Sequence, residues 1–185
     1  MLVFGFAQPA FAQNNSQFAS LTADRIVYVS GYQVLRATGH VEIIFGTTIL
    51  TATELVFDAQ NDRIEATGPL RIQDGDNITI VAQYASLSSD LREGILQSAR
   101  MVLNQQLQIA AVEISRREGR YTELFKAAAS SCTVTLAKPT PFWQVRAKRI
   151  VHDDVAKQLY FEAAQVRIMS VPVAYIPRLR VPDPS

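Results

Sequence analysis

The chain is short of the residues that most often announce chemistry. Its 185 residues include one cysteine, Cys132, and two histidines, His40 and His152. A single cysteine closes no internal disulfide, so a disulfide scaffold is excluded and any bridge must reach another chain or a part not in this sequence. One thiol and two imidazoles are too few for a His/Cys zinc site. Charged residues make up 19% and the formal net charge is +1, so there is no basic field to hold nucleic acid. After residue 12 no run approaches the roughly 18 apolar residues a membrane-spanning helix needs. Also missing are G-x-S-x-G, a phosphate-binding loop, H-E-x-x-H and a dinucleotide glycine pattern. Thr22, Ser86 and Ser115 have no plausible base beside them. No catalytic residue, cofactor or metal is therefore expected, and an enzyme is not. His40 reads as a surface turn residue. His152, Asp153 and Asp154 read as a turn in which Asp bonds the local backbone. Arg116, Arg117, Arg146, Lys148 and Arg149 read as solvated strand faces.

What is present is apolar and repetitive; 48% of the residues are hydrophobic. Residues 1–12 carry no charge and end in Ala10-Phe11-Ala12, a small-x-small pattern. They read as the end of a secretory signal peptide without its basic start, with residues 13–20 as a polar lead-in. From there five segments repeat: 21–28, 50–57, 80–87, 109–116 and 145–152. Their alanines, Ala23, Ala52, Ala82, Ala111 and Ala147, stand 29, 30, 29 and 36 residues apart. Two residues before each alanine is Leu21, Leu50, Ile80, Ile109 or Val145, and three after it is Ile26, Leu55, Ala85, Ile114 or Ile150. A second motif follows: 36–43 and 65–72 are near copies built on Ala-Thr-Gly, and 97–102 and 162–168 are weaker ones. Turn residues separate the two.

Each unit is thus a pair of strands, and about five pairs stack. Positions two before and at the alanine share one face of a strand. The next apolar residue comes three on, which breaks strict alternation. A bulge at that level returns it to the inner face, and repetition in every unit curves the sheet. The expected fold is an all-β curved jellyroll over residues 21–170, with Tyr121 to Ala129 as strand despite its helical composition. Recurrent small residues between larger ones predict an elongated apolar slot, lined by Leu50, Ala52, Leu55, Phe57, Ile80, Ile109, Ile114 and Val145.

The Ala23-Asp24-Arg25-Ile26 strand followed by Ala37-x-Gly39-x-Val41 resembles the OstA/LptA type of jellyroll domain. Three later features resemble the end of the periplasmic domain of the LptD family. These are Cys132-Thr133, the strand from Trp143 to Asp153, and the succession from Val171-Pro172 through Pro177 to Pro182-Asp183-Pro184. The resemblance implies lipopolysaccharide transport and outer-membrane assembly, in the periplasm beside the outer membrane. It implies lipopolysaccharide as cargo and an LptA-like bridge protein docked by strand addition. It further implies an LptE-like lipoprotein partner reached through a barrel that would follow residues 171–185, read as a Pro-rich linker. In that family Cys132 would bond a cysteine of the barrel. The alternative is a barrel-less bridge adaptor working mainly by strand-to-strand assembly.

Overall fold

The computed structural model describes residues 20–132 and 141–184, and these contain twelve strands and no helix. The expected signal segment and nearly all of the polar lead-in lie outside the described residues. In chain order the strands are β1 (Ser20–Thr22), β2 (Arg25–Val29), β3 (Val34–Phe45), β4 (Thr48–Asp58), β5 (Arg63–Asp74) and β6 (Ile78–Ser88). They continue as β7 (Gly94–Leu103), β8 (Leu107–Arg117), β9 (Tyr121–Ser130), β10 (Trp143–Asp153), β11 (Gln158–Ile168) and β12 (Val171–Pro182). From β2 onward each pairs antiparallel with the next in one sheet, and β1, which does not pair with β2, also lies against β3. β1 and β2 are two pieces of one strand broken at Ala23-Asp24, where the Asp24 N–H donates to the Gly39 carbonyl at 2.8 Å.

The repeat maps onto this meander. The alanines at 52, 82, 111 and 147 sit in β4, β6, β8 and β10; the Ala-Thr-Gly copies are β3 and β5. The 36-residue step reflects the longer connection from β9 to β10. Tyr121–Ser130 is a strand, as its β-branched surroundings suggested. Residues 171–182, read in sequence as a linker, are paired with β11 as β12. Pro172, Pro177 and Pro182 misled that reading, yet proline is tolerated on an edge strand, where one side has no partner to receive an N–H.

In β4 and in β6 to β11 the buried parity changes once, at the same level, whereas β3 and β5 keep theirs across a longer step, from Ala37 to Val41 and from Ala66 to Leu70. In β4 the buried residues are Leu50 and Ala52, then Leu55; in β7 they are Leu96, then Ala99 and Met101. Sequence reasoning placed the bulge in the alanine-bearing strands. The left-handed residues instead fall in the alternate strands: Gly39 and His40 in β3, Gly68 in β5, Ser98 in β7, Lys126 in β9, Ala163 in β11. The register slips by a residue beside Gly39-His40 and beside Gly68, on both flanks of β5. The physical reason is economy: one left-handed residue bends two neighbouring strands, and the partner follows with only a polar pair turned outward at the corner.

The bend folds the sheet onto itself. Arg116, near the end of β8, pairs with Asp74, at the end of β5. These strands are not neighbours, and in a flat sheet opposite ends of an 11-residue strand lie roughly 35 Å apart. Asn104, in the β7–β8 turn, likewise donates to the Pro184 carbonyl at 2.9 Å, beyond the far end of β12. The two half-sheets therefore face each other, the kink forms one long corner, and both sets of turns meet at a mouth opposite.

If these left-handed residues set the kink, glycine should be needed at some and welcome at others. At Gly68, φ is +93° and an added Cβ would come 2.7 Å from Thr53 Oγ1; Gly68→Ala should cost about 1–2 kcal/mol or more. At Ala163, φ is +54°, so Ala163→Gly should be neutral or stabilising by up to about 1 kcal/mol. Urea denaturation of the two variants checks both signs.

Candidate functional site

The folded sheet carries two apolar rows that face one another across the interior. On one half, Leu50, Ile72, Ile80, Met101, Ile109, Ala129 and Val145 stand opposite one another from β4 to β10. On the other, Leu55, Ala66, Ala85, Leu96, Ile114, Leu124 and Ile150 do the same. Six of the eight residues singled out in sequence thus fall on these rows. Leu50, Leu55, Ile80, Ile109 and Ile114 are fully buried, and Ala52 is buried at the kink level. Phe57 and Val145 are only partly buried and pack against the same cluster. Glu54 and Glu113 point away from it; Glu54 is held by Arg36 at 2.8 Å on the outer surface.

The mouth is polar, and sequence reasoning missed most of it. Arg116, expected on a solvated face, is buried against Asp74, with its Nη1 left unpartnered. Arg116 lies two residues past the inward-facing Ile114 and so on the inner face, and the fold-over that brings β5 onto β8 supplies its partner. His152 is buried too, and its Nε2 lies 2.6 Å from Asp183 Oδ2, both side chains 1% exposed. Its Nδ1 has no partner. The Asp183 N–H donates to the Lys157 carbonyl at 3.0 Å, which straps the residues after β12 across the turn before β11. Beside it Arg120 clasps Asp153 with bonds of 2.9 and 2.7 Å. That clasp, with the Val155 and Ala156 N–H groups, pulls the Asp153 carboxyl down to about 2. The clasp is therefore fully made above the ordinary carboxylate range and fails as pH falls toward 2. No group of His, Cys, Asp and Glu suited to a metal occurs among the described residues.

Cys132 is part-exposed and free among the described residues, just past β9. Its N–H donates to Ser130 Oγ at 3.1 Å, and that hydroxyl donates to the Trp143 carbonyl at 2.7 Å. Hydrogen bonding from the Trp143 backbone and the Ser130 hydroxyl lowers the thiol below its usual range. More of it is thiolate at a given pH, and the thiolate is the reactive form.

No family model matches the chain. It is similar to the LPS-assembly protein LptD of Nitrosococcus oceani, 28% identical over 134 residues. That alignment takes in 72% of this chain and 18% of that protein, so the chain spans about a fifth of the relative's length. Among solved structures it aligns with LptH, the LptA-homologous periplasmic component of the lipopolysaccharide transport device of Pseudomonas aeruginosa. The match covers 94% of this chain and all of that one, at 14% identity and a TM-score of 0.36.

Cys132 yields a direct expectation. A maleimide should label it in the folded chain, and the half-maximal rate should fall at a lower pH than for an unstructured cysteine peptide. Labelling that appears only after denaturation would make it a packing residue.

Proposed function

We propose that this chain is a periplasmic domain of a lipopolysaccharide transport machine that shelters acyl chains against the apolar rows and passes them toward the outer membrane. The observation that carries the reading is the pair of facing rows on a single open sheet. Among the described residues no backbone ladder joins the half-sheets; at the mouth they meet through a few polar ties, Arg116 with Asp74 and Asn104 with the Pro184 carbonyl. Parting them breaks these ties and the apolar contact between the rows, and acyl chains entering the gap replace that contact with hydrocarbon of their own. Shielding an acyl chain is worth about 0.8 kcal/mol per methylene, so a dozen methylenes, about 10 kcal/mol, exceed the roughly 3–5 kcal/mol of breaking one buried ion pair. The similarity to LptD supports the choice of cargo. On this reading the work is binding and conduction, not catalysis. Leu50, Ala52, Leu55, Phe57, Ile80, Ile109, Ile114 and Val145 are the lipid-facing residues.

The two ends of the sheet suit assembly. All five residues of β2 are exposed, including Ile26, Val27, Tyr28 and Val29, and an open strand edge accepts another strand. This is the proposed docking edge for an LptA-like bridge protein. At the other end β12 leads toward the proposed outer-membrane barrel and, through it, an LptE-like lipoprotein. Cys132, accessible and inclined to ionise, is the proposed partner of a barrel cysteine, since the periplasm drives exposed thiols to disulfides.

Photo-crosslinking residues placed at Leu55 or Ile109 should capture lipopolysaccharide, whereas the same groups at Glu54 or Glu113 should not. Equal capture from both sets would overturn the facing and the interior site together.

A further inference from the structure

The outside of the corner carries a row that the interior reading leaves unused. Pairing places Arg71, Val81, Arg100, Ala110, Ala128 and Arg146 opposite one another, one per strand from β5 to β10. At about 4.8 Å per strand the row is roughly 24 Å long. Two shallow depressions of about 540 and 640 Å³ lie along it and share Ser98, Ala110 and Ala111. Lys126 and Lys148 line the second. These five cations are exposed. Among the described residues none has an ion pair or a side-chain hydrogen bond, although most other strand-borne arginines do. No Asp or Glu lines either depression. In a chain of net charge +1 this is a strong local excess.

The spaces between the cations are apolar. Ala110 and Ala128 let the long stems lie flat. Val81 and Val112, 40% and 59% exposed, rise beside them. Phosphate and hydrocarbon at one surface, repeated over some 24 Å, is the chemistry of a bilayer interface. A single phosphate ligand would need donors that converge, but the arginines stand about 10 and 14 Å apart along the row. A nucleic acid would be served by stacking platforms, and no aromatic residue lines either depression.

We infer that the outer face of the kink docks on an anionic phospholipid surface, its headgroup phosphates meeting Arg71, Arg100, Arg146, Lys126 and Lys148. This face is distinct from the apolar interior and does not depend on what the interior binds.

The test is co-sedimentation of the full chain with vesicles of phosphatidylglycerol and phosphatidylethanolamine, and with vesicles of phosphatidylcholine alone. Binding to the first and not the second, weakened by salt, is expected. Arg100→Ala with Arg146→Ala should weaken it about 25-fold, roughly five-fold per charge. Arg25→Ala with Arg178→Ala removes the same charge elsewhere and should change it less than two-fold, with melting curves confirming that both variants fold. Equal loss from both pairs, or no binding to anionic vesicles, overturns the inference. So does release by inorganic phosphate beyond that caused by chloride at matched ionic strength, which would mark a free-anion site. Capture of lipopolysaccharide at Leu55 and Ile109 is read separately, so either claim can fail alone.

Discussion

The structure depends on one backbone constraint, a left-handed residue at the same level in every second strand. An L residue in that conformation costs about 1–2 kcal/mol, and Ser98, Lys126 and Ala163 accept it without being glycine. What offsets it is burial. Each kinked strand can place apolar residues on one inner side both before and after the corner, as Leu96 and Met101 do in β7 and Leu159 and Ala164 in β11. A fully buried leucine or methionine contributes about 1.5–3 kcal/mol, so two per strand exceed the strain. Without the kink, a meander of twelve strands would have one face too apolar for water and nothing to cover it. With it, one sheet serves as both layers of its own sandwich.

The same constraint sorts the polar groups. At the corner it turns Thr53-Glu54 and Lys148-Arg149 outward in the alanine-bearing strands and leaves the small alanines inside. At the mouth it brings the two sets of turns together, so that residues far apart in the sheet become partners: Arg116 with Asp74, and Asn104 with the Pro184 carbonyl. The interior contacts are continuous and non-directional, while the mouth contacts are few and directional.

Much of this was legible in the sequence because period and step are local. The alanines at 29- to 36-residue intervals and the step of three after each pointed to about five strand pairs, the level of the bend and which side faces in, against the twelve strands present. The left-handed positions were not legible: Gly39 and Gly68 showed only as part of the Ala-Thr-Gly copies, and nothing in Ser98, Lys126 or Ala163 announces a conformation forced by its neighbours. The buried state of Arg116 and His152 was equally hidden. The first depends on the fold-over, which joins residues 42 apart in sequence; the second depends on residues 171–182 being a strand, which carries Asp183 to His152, 31 residues away. β12 was obscured by its prolines, whose meaning changes once the strand is known to be an edge. The row of arginines on the outer corner is a matter of register across six strands, which no one strand's sequence displays.

The central claim is that the interior opens at the mouth to take hydrocarbon, and locking that mouth tests it most directly. In a Cys132→Ser background, Asp74→Cys and Arg116→Cys together place two thiols across the seam, where a short bismaleimide can join them. The account predicts that the joined protein stays folded and loses uptake of a fluorescent lipopolysaccharide, while each single substitution treated with the same reagent keeps it. Undiminished uptake by the joined protein would contradict the account, because the lipid would then be held somewhere other than between the two half-sheets.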